Sequence, residues 1–281
     1  MRAIDVRHMG REKVICAWLV DGVIVDPGPQ STEETLLAGL DGEVPRALLL
    51  THIHFDHAGA TGSLLRRWPD LPVYVHERGA PHLVNPEKLV ASAGRLYGGD
   101  AGLRRLWGEI VPVPEENLRI LSGGERDVEG AFRVEYTPGH ASHHVCYLHE
   151  PSGWAFVGDM GGVRMPPGEF TLAPTPPPDI DVAAWERSID AIAAWRPATL
   201  ALTHFGAAED PEAQLERCRA ALHSEADLAA AHDLDGFVAA IEARIREGVG
   251  ADAESMIQAA PPDQLYQGLD RWRRKQAQRA A

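Results

Sequence analysis

The stretch Thr51-His52-Ile53-His54-Phe55-Asp56-His57-Ala58-Gly59 follows at once on a continuous apolar run, Ala47-Leu48-Leu49-Leu50. An uninterrupted run of that length reads as a strand covered on both faces. In extended backbone, residues i and i+2 point to the same side, so His52 and His54 can grip one cation together. Asp56 and His57 fall where the chain bends from strand toward helix, and they can turn to a second cation nearby. Imidazole and carboxylate are ligands suited to zinc, iron or manganese. Four such groups within six residues are costly to bury unpaired, which favours shared ligands over four separate structural roles.

Three later segments repeat the arrangement, each an apolar strand followed directly by a ligand type: Thr137-Pro138-Gly139-His140, Phe156-Val157-Gly158-Asp159 and Leu202-Thr203-His204-Phe205-Gly206. Side chains at the ends of neighbouring strands converge on one edge of a sheet, where an α/β body carries its chemistry. Because the chain has 13 histidines, His140 or His204 taken alone is as readily structural as functional. Four strand ends that each bear a ligand type turn the reading toward a metal centre.

On either side of these segments, short apolar runs alternate with helical patterns. Residues 13–20 and 23–26 read as strands around Asp21-Gly22, a hairpin signal, and Asp26-Pro27-Gly28-Pro29 then breaks the chain. Ser31 and Glu34 stand at capping-box spacing before a short helix ending near Gly39 or Gly42. Residues 60–68 read as helix, 73–75 as a buried strand, and 86–107 as helix interrupted at Gly98-Gly99. Further strands are expected at 131–137, 144–149, 154–158 and 199–203. Val182, Trp185, Ile189, Ile192 and Trp195, at spacings of three and four, predict a helix over 182–195. Residues 165–179 hold six of the chain's 21 prolines, which fits a surface linker or a stiff loop beside a site equally well. Everything beyond 208 is rich in Ala, Glu and Arg and reads as helix.

The chain of 281 residues is 44% hydrophobic and 24% charged, an ordinary globular composition long enough for a sizeable core. Lys and Arg number 27 against 41 Asp and Glu, a net charge of −14. That balance disfavours general binding to nucleic acid or an anionic membrane. The three cysteines, Cys16, Cys146 and Cys218, form no CxxC pair, so neither a disulfide framework nor a zinc finger is indicated. All three lie in apolar strand or helix patterns and read as packing residues. The charged N-terminal residues lack the apolar core of a signal peptide, and no stretch approaches the roughly 18–20 apolar residues of a bilayer span. The expected compartment is the cytoplasm.

With HxHxDH at 52–57, followed in order by His140, Asp159 and His204, the chain resembles the metallo-β-lactamase-fold superfamily over roughly residues 3–207. The resemblance implies an α/β fold, a four-layered αβ/βα sandwich with a dinuclear metal site at one edge. It divides the chain into a catalytic domain at 1–207 and a helical C-terminal extension at 208–281. Carried over position by position, His52, His54 and His140 hold the first metal. Asp56, His57 and His204 hold the second, and Asp159 bridges the two. Asp56 and Asp159 are then the catalytic carboxylates. The implied cofactors are two divalent metal ions about 3.5–4 Å apart, zinc first, with iron or manganese as alternatives. Two divalent ions, less two carboxylates and one bridging hydroxide, leave one net positive charge. Such a site stabilises an oxyanion and supplies hydroxide at neutral pH.

The activity expected from this resemblance is attack by a metal-bridged hydroxide on an ester, thioester or lactone carbonyl. A mononuclear iron sulfur dioxygenase, or a phosphodiesterase or ribonuclease of the same fold, is the alternative. His57 together with Asp159 departs from the antibiotic-degrading members, so β-lactam hydrolysis is the poorer reading. The motif is similar to that of hydroxyacylglutathione hydrolases, but their glutathione-binding basic signature finds no match in the tail. The basic cluster at 271–279 reads as cations at a helix C-terminus. The partner expected is a small-molecule substrate, with neither nucleic acid nor membrane, and a homodimer remains open. His143 and His144 can reach substrate or support the strand, and Tyr97 can offer a hydroxyl to a carbonyl or pack half-buried. Leu215, Leu222, Leu228, Phe237, Val238, Ile241 and Ile245 predict tail helices that pack over the body near the site mouth, or across a dimer.

Overall fold

The computed structural model describes residues 1–94 and 96–280. Its first sheet is built from β1 (Arg2–Asp5), β2 (Cys16–Val20), β3 (Val23–Val25), β4 (Ala47–Leu49), β5 (Val73–His76) and β6 (Leu118–Leu121), in that spatial order. The β1–β2 and β2–β3 pairs are antiparallel, and β3 through β6 run parallel. The parallel strands are joined through helices, as parallel strands require: α1 (Glu33–Leu40), α2 (Phe55–Ala58), α3 (Thr61–Arg67), α4 (Ala80–Val84), α5 (Glu87–Gly94) and α6 (Gly99–Trp107). The chain then forms β7 (Phe132–Tyr136), β8 (Val145–His149) and β9 (Trp154–Gly158), followed by the small ribbon β10 (Val163–Arg164) and β11 (Thr171–Leu172). After α7 (Val182–Ala194) come β12 (Thr199–Leu202) and β13 (Gly206–Ala208). The second sheet has the order β13-β12-β9-β8-β7, in which the β12–β9 pair is parallel. Four helices close the chain: α8 (Pro211–Ala231), α9 (Leu234–Val249), α10 (Ala253–Ala259) and α11 (Pro262–Ala280).

Alternation along the strands separates three cores. On β2, Cys16, Trp18 and Val20 face the space between the sheets, where they meet Phe132, Val134, Tyr147 and Phe156 of the second sheet. Their neighbours Ala17 and Leu19 face outward, into a core with Leu36, Leu40, Leu64 and Leu65 of α1 and α3. On β9, Phe156 points inward while Ala155 and Val157 point outward, to Trp185, Leu215, Leu222, Phe237 and Ile241. A period of two on each strand thus produces two sheets back to back with helices on both outer faces. The fold is a four-layered αβ/βα sandwich. The helices after residue 208 share one core with α7 and the second sheet, without a gap in packing.

Local expectations and structure part at several places. No side chain caps α1: Ser31 Oγ donates instead to the Leu106 carbonyl, 2.6 Å away, and Glu33 accepts from Ser63. The helix ends at Leu40, between the expected Gly39 and Gly42, with Asp41 rather than a glycine in the left-handed region (φ 53°). The strands β1, β6, β10, β11 and β13, two to four residues long, are too short to stand out in sequence. Pairing holds them in place: β1, β6 and β13 at sheet edges, and β10 with β11 in their own ribbon. Among the described residues, no helix is long and apolar enough to cross a membrane.

One buried acid in the tail has a measurable consequence. Glu225 on α8 is 1% exposed; its Oε1 accepts from the Ala173 amide at 3.1 Å, and its Oε2 finds no partner among the described residues. Burial pushes its carboxyl up to about 8. The folded chain therefore keeps a proton that the unfolded chain releases, and stability falls as pH rises from the unfolded carboxyl range to about 8. In Glu225→Gln the loss of stability between pH 5 and pH 8, followed by urea denaturation, is expected to shrink by on the order of 3 kcal/mol. An identical pH profile in parent and variant would show that Glu225 does not hold that proton.

Candidate metal centre

All of the ligand-type residues read from the sequence lie at the C-terminal ends of strands. His52, His54, Asp56 and His57 follow β4, His140 follows β7, Asp159 follows β9 and His204 follows β12. Backbone bonds between the sheets hold these ends together: Val145 N donates to Thr51 O and Cys16 N to Thr203 O, each at 2.8 Å. Gly158, just before Asp159, has φ +49°, and a Cβ there would lie 2.5 Å from Thr51 Oγ1 and 2.7 Å from His144 Nε2. Only glycine allows β9 to turn Asp159 inward so close to β4.

The donors fall into two adjoining groups, His52, His54, His140 and Asp159 in one, and Asp56, His57 and His204 in the other. Within each group the donor atoms lie within 4.8 Å of one another. In the first, His54 Nδ1 is 3.0 Å from both His52 Nε2 and His140 Nε2. In the second, His204 Nε2 is 3.4 Å from Asp56 Oδ2. Asp159 sits between them, with Oδ2 at 3.1 Å from His140 Nε2 and Oδ1 at 3.1 Å from His57 Nε2.

The far side of four of the five rings is tied down. His140 Nδ1–H donates to the Pro174 carbonyl at 2.8 Å and His204 Nδ1–H to the Val14 carbonyl at 2.6 Å. His57 Nδ1–H donates to Asp26 Oδ2 at 2.8 Å. Thr51 Oγ1 donates to Asp26 Oδ2 at 2.7 Å and accepts from His52 Nδ1–H at 3.1 Å. These partners orient the rings and turn Nε2 of His52, His57, His140 and His204 to the centre, as metal-ligating imidazoles require.

The charge pattern agrees. Burial and neighbouring imidazoles push His52 well below the usual histidine range, and burial with His140 lowers His54 to about 4. Burial also lowers His140. Three neutral rings thus converge their nitrogens at contact distance around His54 Nδ1. For His57 and His204 burial works in the same direction, but the carboxylates of Asp159 and Asp56 outweigh it and raise both. Burial likewise opposes ionisation of Asp56 and Asp159, and the surrounding imidazoles overcome it, so both carboxyls are held below their usual range. Buried His57 Nε2 and Asp159 Oδ1 lack a well-formed hydrogen bond among the described residues. Converging ring nitrogens and two buried carboxylates paired only with imidazoles are what divalent cations would satisfy, and the residues fit them.

Asp26 is the residue bonded to the donor cluster that sequence reasoning missed. It is fully buried at the end of β3 and also accepts from the Thr51 amide at 2.8 Å and Thr203 Oγ1 at 3.1 Å. Its signal was the same as for the ligands, an apolar strand followed by an acid, but Asp26-Pro27-Gly28-Pro29 reads as a turn. Because Asp26 orients His57, Asp26→Asn should weaken metal binding about 10–100-fold. A chelator competition measures this, and unchanged affinity in a folded variant would refute the orienting role.

A cavity of about 490 Å³ opens onto the centre, with His54, Asp56, Asp159 and His204 in its wall. Pro174, Pro176, Pro177 and Pro178 line it, so the proline-rich segment is a loop beside the site. Gln258, Pro261, Gln264 and Leu265, from the end of α10 to the start of α11, also line it. Leu215, Leu222, Leu228, Phe237, Ile241 and Ile245 of α8 and α9, expected near the site mouth, pack in the core on the second sheet instead. Tyr97 Oη donates to Gln264 Oε1 at 3.4 Å, and Tyr97 packs edge-on against Trp107. His143 lines the cavity, its ring stacked 6.1 Å from His52, whereas His144 is buried behind the centre against Thr137 Oγ1. In the basic cluster, Arg271 and Lys275 donate to the Pro178 carbonyl and Arg273 to the Ala229 carbonyl, tying α11 to the proline loop and to the last turn of α8. The three cysteines are buried within the cores.

The family model described as metallo-beta-lactamase superfamily matches residues 16–204, which include every donor named above. The chain belongs to the metallo-beta-lactamase superfamily. A hydroxyacylglutathione hydrolase of Hamiltonella defensa is 56% identical over 137 residues, 49% of this chain and 41% of the relative. Across the curated relatives it matches most strongly, the chain spans between 36% and 63% of their length. Among solved structures, an archaeal superfamily protein from Sulfolobus tokodaii shares the fold at a TM-score of 0.71, with 22% identity, over 96% of this chain and 97% of that one. A protein solved in a di-iron-bound form aligns at a TM-score of 0.54 and 26% identity, over 72% of this chain and 91% of the other.

Proposed function

We propose that this chain is a dinuclear metal-dependent hydrolase acting on an ester, thioester or lactone carbonyl. The observation that carries the reading is Asp159, whose two carboxylate oxygens each approach an imidazole of a different donor group. His52, His54 and His140 would hold one cation, and Asp56, His57 and His204 the other, with Asp159 between them. Bound there, two divalent ions supply a water acidified to near neutrality and positive charge for a developing oxyanion. The protein's own part is to fix the donors. Asp26, Pro174 O and Val14 O hold the rings, and the two sheets hold the strand ends. No seryl or cysteinyl nucleophile is required, and burial raises all three thiols.

The hydroxyacylglutathione hydrolase relative favours a thioester, and the di-iron neighbour favours two metals with iron admitted beside zinc. The test is metal analysis of protein purified without added metal, followed by a panel of esters, thioesters, lactones and phosphodiesters. Two metals per chain with ester or thioester turnover is the expected result. One iron with oxygen uptake and no hydrolysis would replace this reading with an oxygenase, and turnover confined to phosphodiesters with a nuclease.

A further inference from the structure

The cavity that opens onto the centre is walled mainly by apolar side chains. Ile53 and Phe55 flank the donors, Leu89 and Leu106 come from α5 and α6, and Leu265 comes from α11. Arg78, which lies over the Tyr136 ring, and Lys88 give one part of the wall positive charge, with His82 also in the wall, and several other polar groups are already committed. His8 Nε2–H donates to the Leu106 carbonyl at 2.9 Å, while its Nδ1 accepts from Gln258 at 3.2 Å. Tyr97 Oη donates to Gln264, and Ser142 Oγ donates to Asp179 at 2.5 Å. A ligand body lying along Leu89, Leu106 and Leu265 therefore gains mainly from leaving water, with Arg78, His82 and Lys88 elsewhere in the wall.

We propose that the cavity binds the apolar acyl chain of the substrate, with its carbonyl at the donor cluster and its chain along Leu89, Leu106 and Leu265. This rests on the hydrolase reading above and narrows it to acyl esters or thioesters with a medium-length aliphatic chain. An acyl group suits the geometry because its reacting carbon ends its apolar part, as the donors end the apolar wall. The cavity's 490 Å³ is in the range of pockets that enclose small ligands. Each methylene carried into an apolar site strengthens binding about fourfold, so chain length is a sensitive probe.

Two measurements on the protein as purified with its metal test this. One compares kcat/KM for the acetyl, butyryl and octanoyl esters of p-nitrophenol. The other compares butyrate with octanoate binding by calorimetry, which needs no turnover. At least a tenfold preference for the longer chain is expected in both. Leu89→Trp and Leu106→Trp, each checked for folding by circular dichroism, should shift that preference toward the short chain by about tenfold. Ester hydrolysis with no dependence on length, and equal binding of the two carboxylates, overturns the acyl-chain assignment and leaves the hydrolase standing. Tight octanoate binding that the tryptophan variants abolish, without hydrolysis at any length, supports the chain site and overturns the hydrolase.

Discussion

Asp159→Asn is expected to lower turnover on the best substrate of the panel by at least about two orders of magnitude, the scale of losing a preorganised electrostatic contact. The side chain keeps nearly its volume, and Ala155, Phe156 and Val157 ahead of it remain packed in their two cores. What changes is charge. Asp159 lies 3.1 Å from His140 on one side, and 3.1 Å and 3.5 Å from His57 and His204 on the other. An amide there can neither balance two cations nor accept from both sides. Global stability should then fall mainly through lost metal linkage. Asp190→Asn, an equivalent change at an exposed carboxylate paired with Arg219, should leave turnover intact. Metal content is measured for every variant. Equal turnover in parent and Asp159→Asn at equal metal occupancy would remove Asp159 from the chemistry.

A chain ended after residue 207 is expected to yield no soluble folded protein. Leu215, Leu222, Phe237, Ile241, Ile245, Met256, Leu265 and Leu269 are each at most 1% exposed and belong to the core that covers the second sheet. Burying such a side chain is worth roughly 1.5–3 kcal/mol, so losing eight of them, roughly 12–24 kcal/mol, matches or exceeds the roughly 5–15 kcal/mol by which a domain is stable. Truncation would also strip Gln258, Gln264 and Leu265 from the cavity wall. Soluble recovery, and the cooperativity of thermal unfolding, decide the matter. A truncated chain that unfolds cooperatively near the parent temperature would make the tail a passive appendage.

The sequence by itself determined the strand ends and what they carry. Four apolar runs followed by His or Asp can be read without coordinates, because side-chain chemistry and the period of a strand are local properties. The same locality misled at Ser31 and Glu34, where the pattern is that of a capping box. Ser31 spends its hydroxyl on Leu106, 75 residues away, a competitor that no local pattern shows. It also concealed Asp26, whose Thr203 contact spans 177 residues and which looks like a turn until the two sheets meet around it.

Tertiary structure alone decided which ring nitrogen of each histidine faces the centre, since that follows from distant partners such as Pro174 and Val14. It decided that the proline-rich segment is a wall of the cavity rather than a linker, because Pro174 must reach His140 and α11 must reach Pro178. It also decided that the tail completes both a core and a cavity. Amphipathic helices announce that they will bury a face, but the face that receives them is set by where the second sheet ends. The donor set is written in local sequence, and its orientation and surroundings come from contacts between segments that only the folded chain brings together.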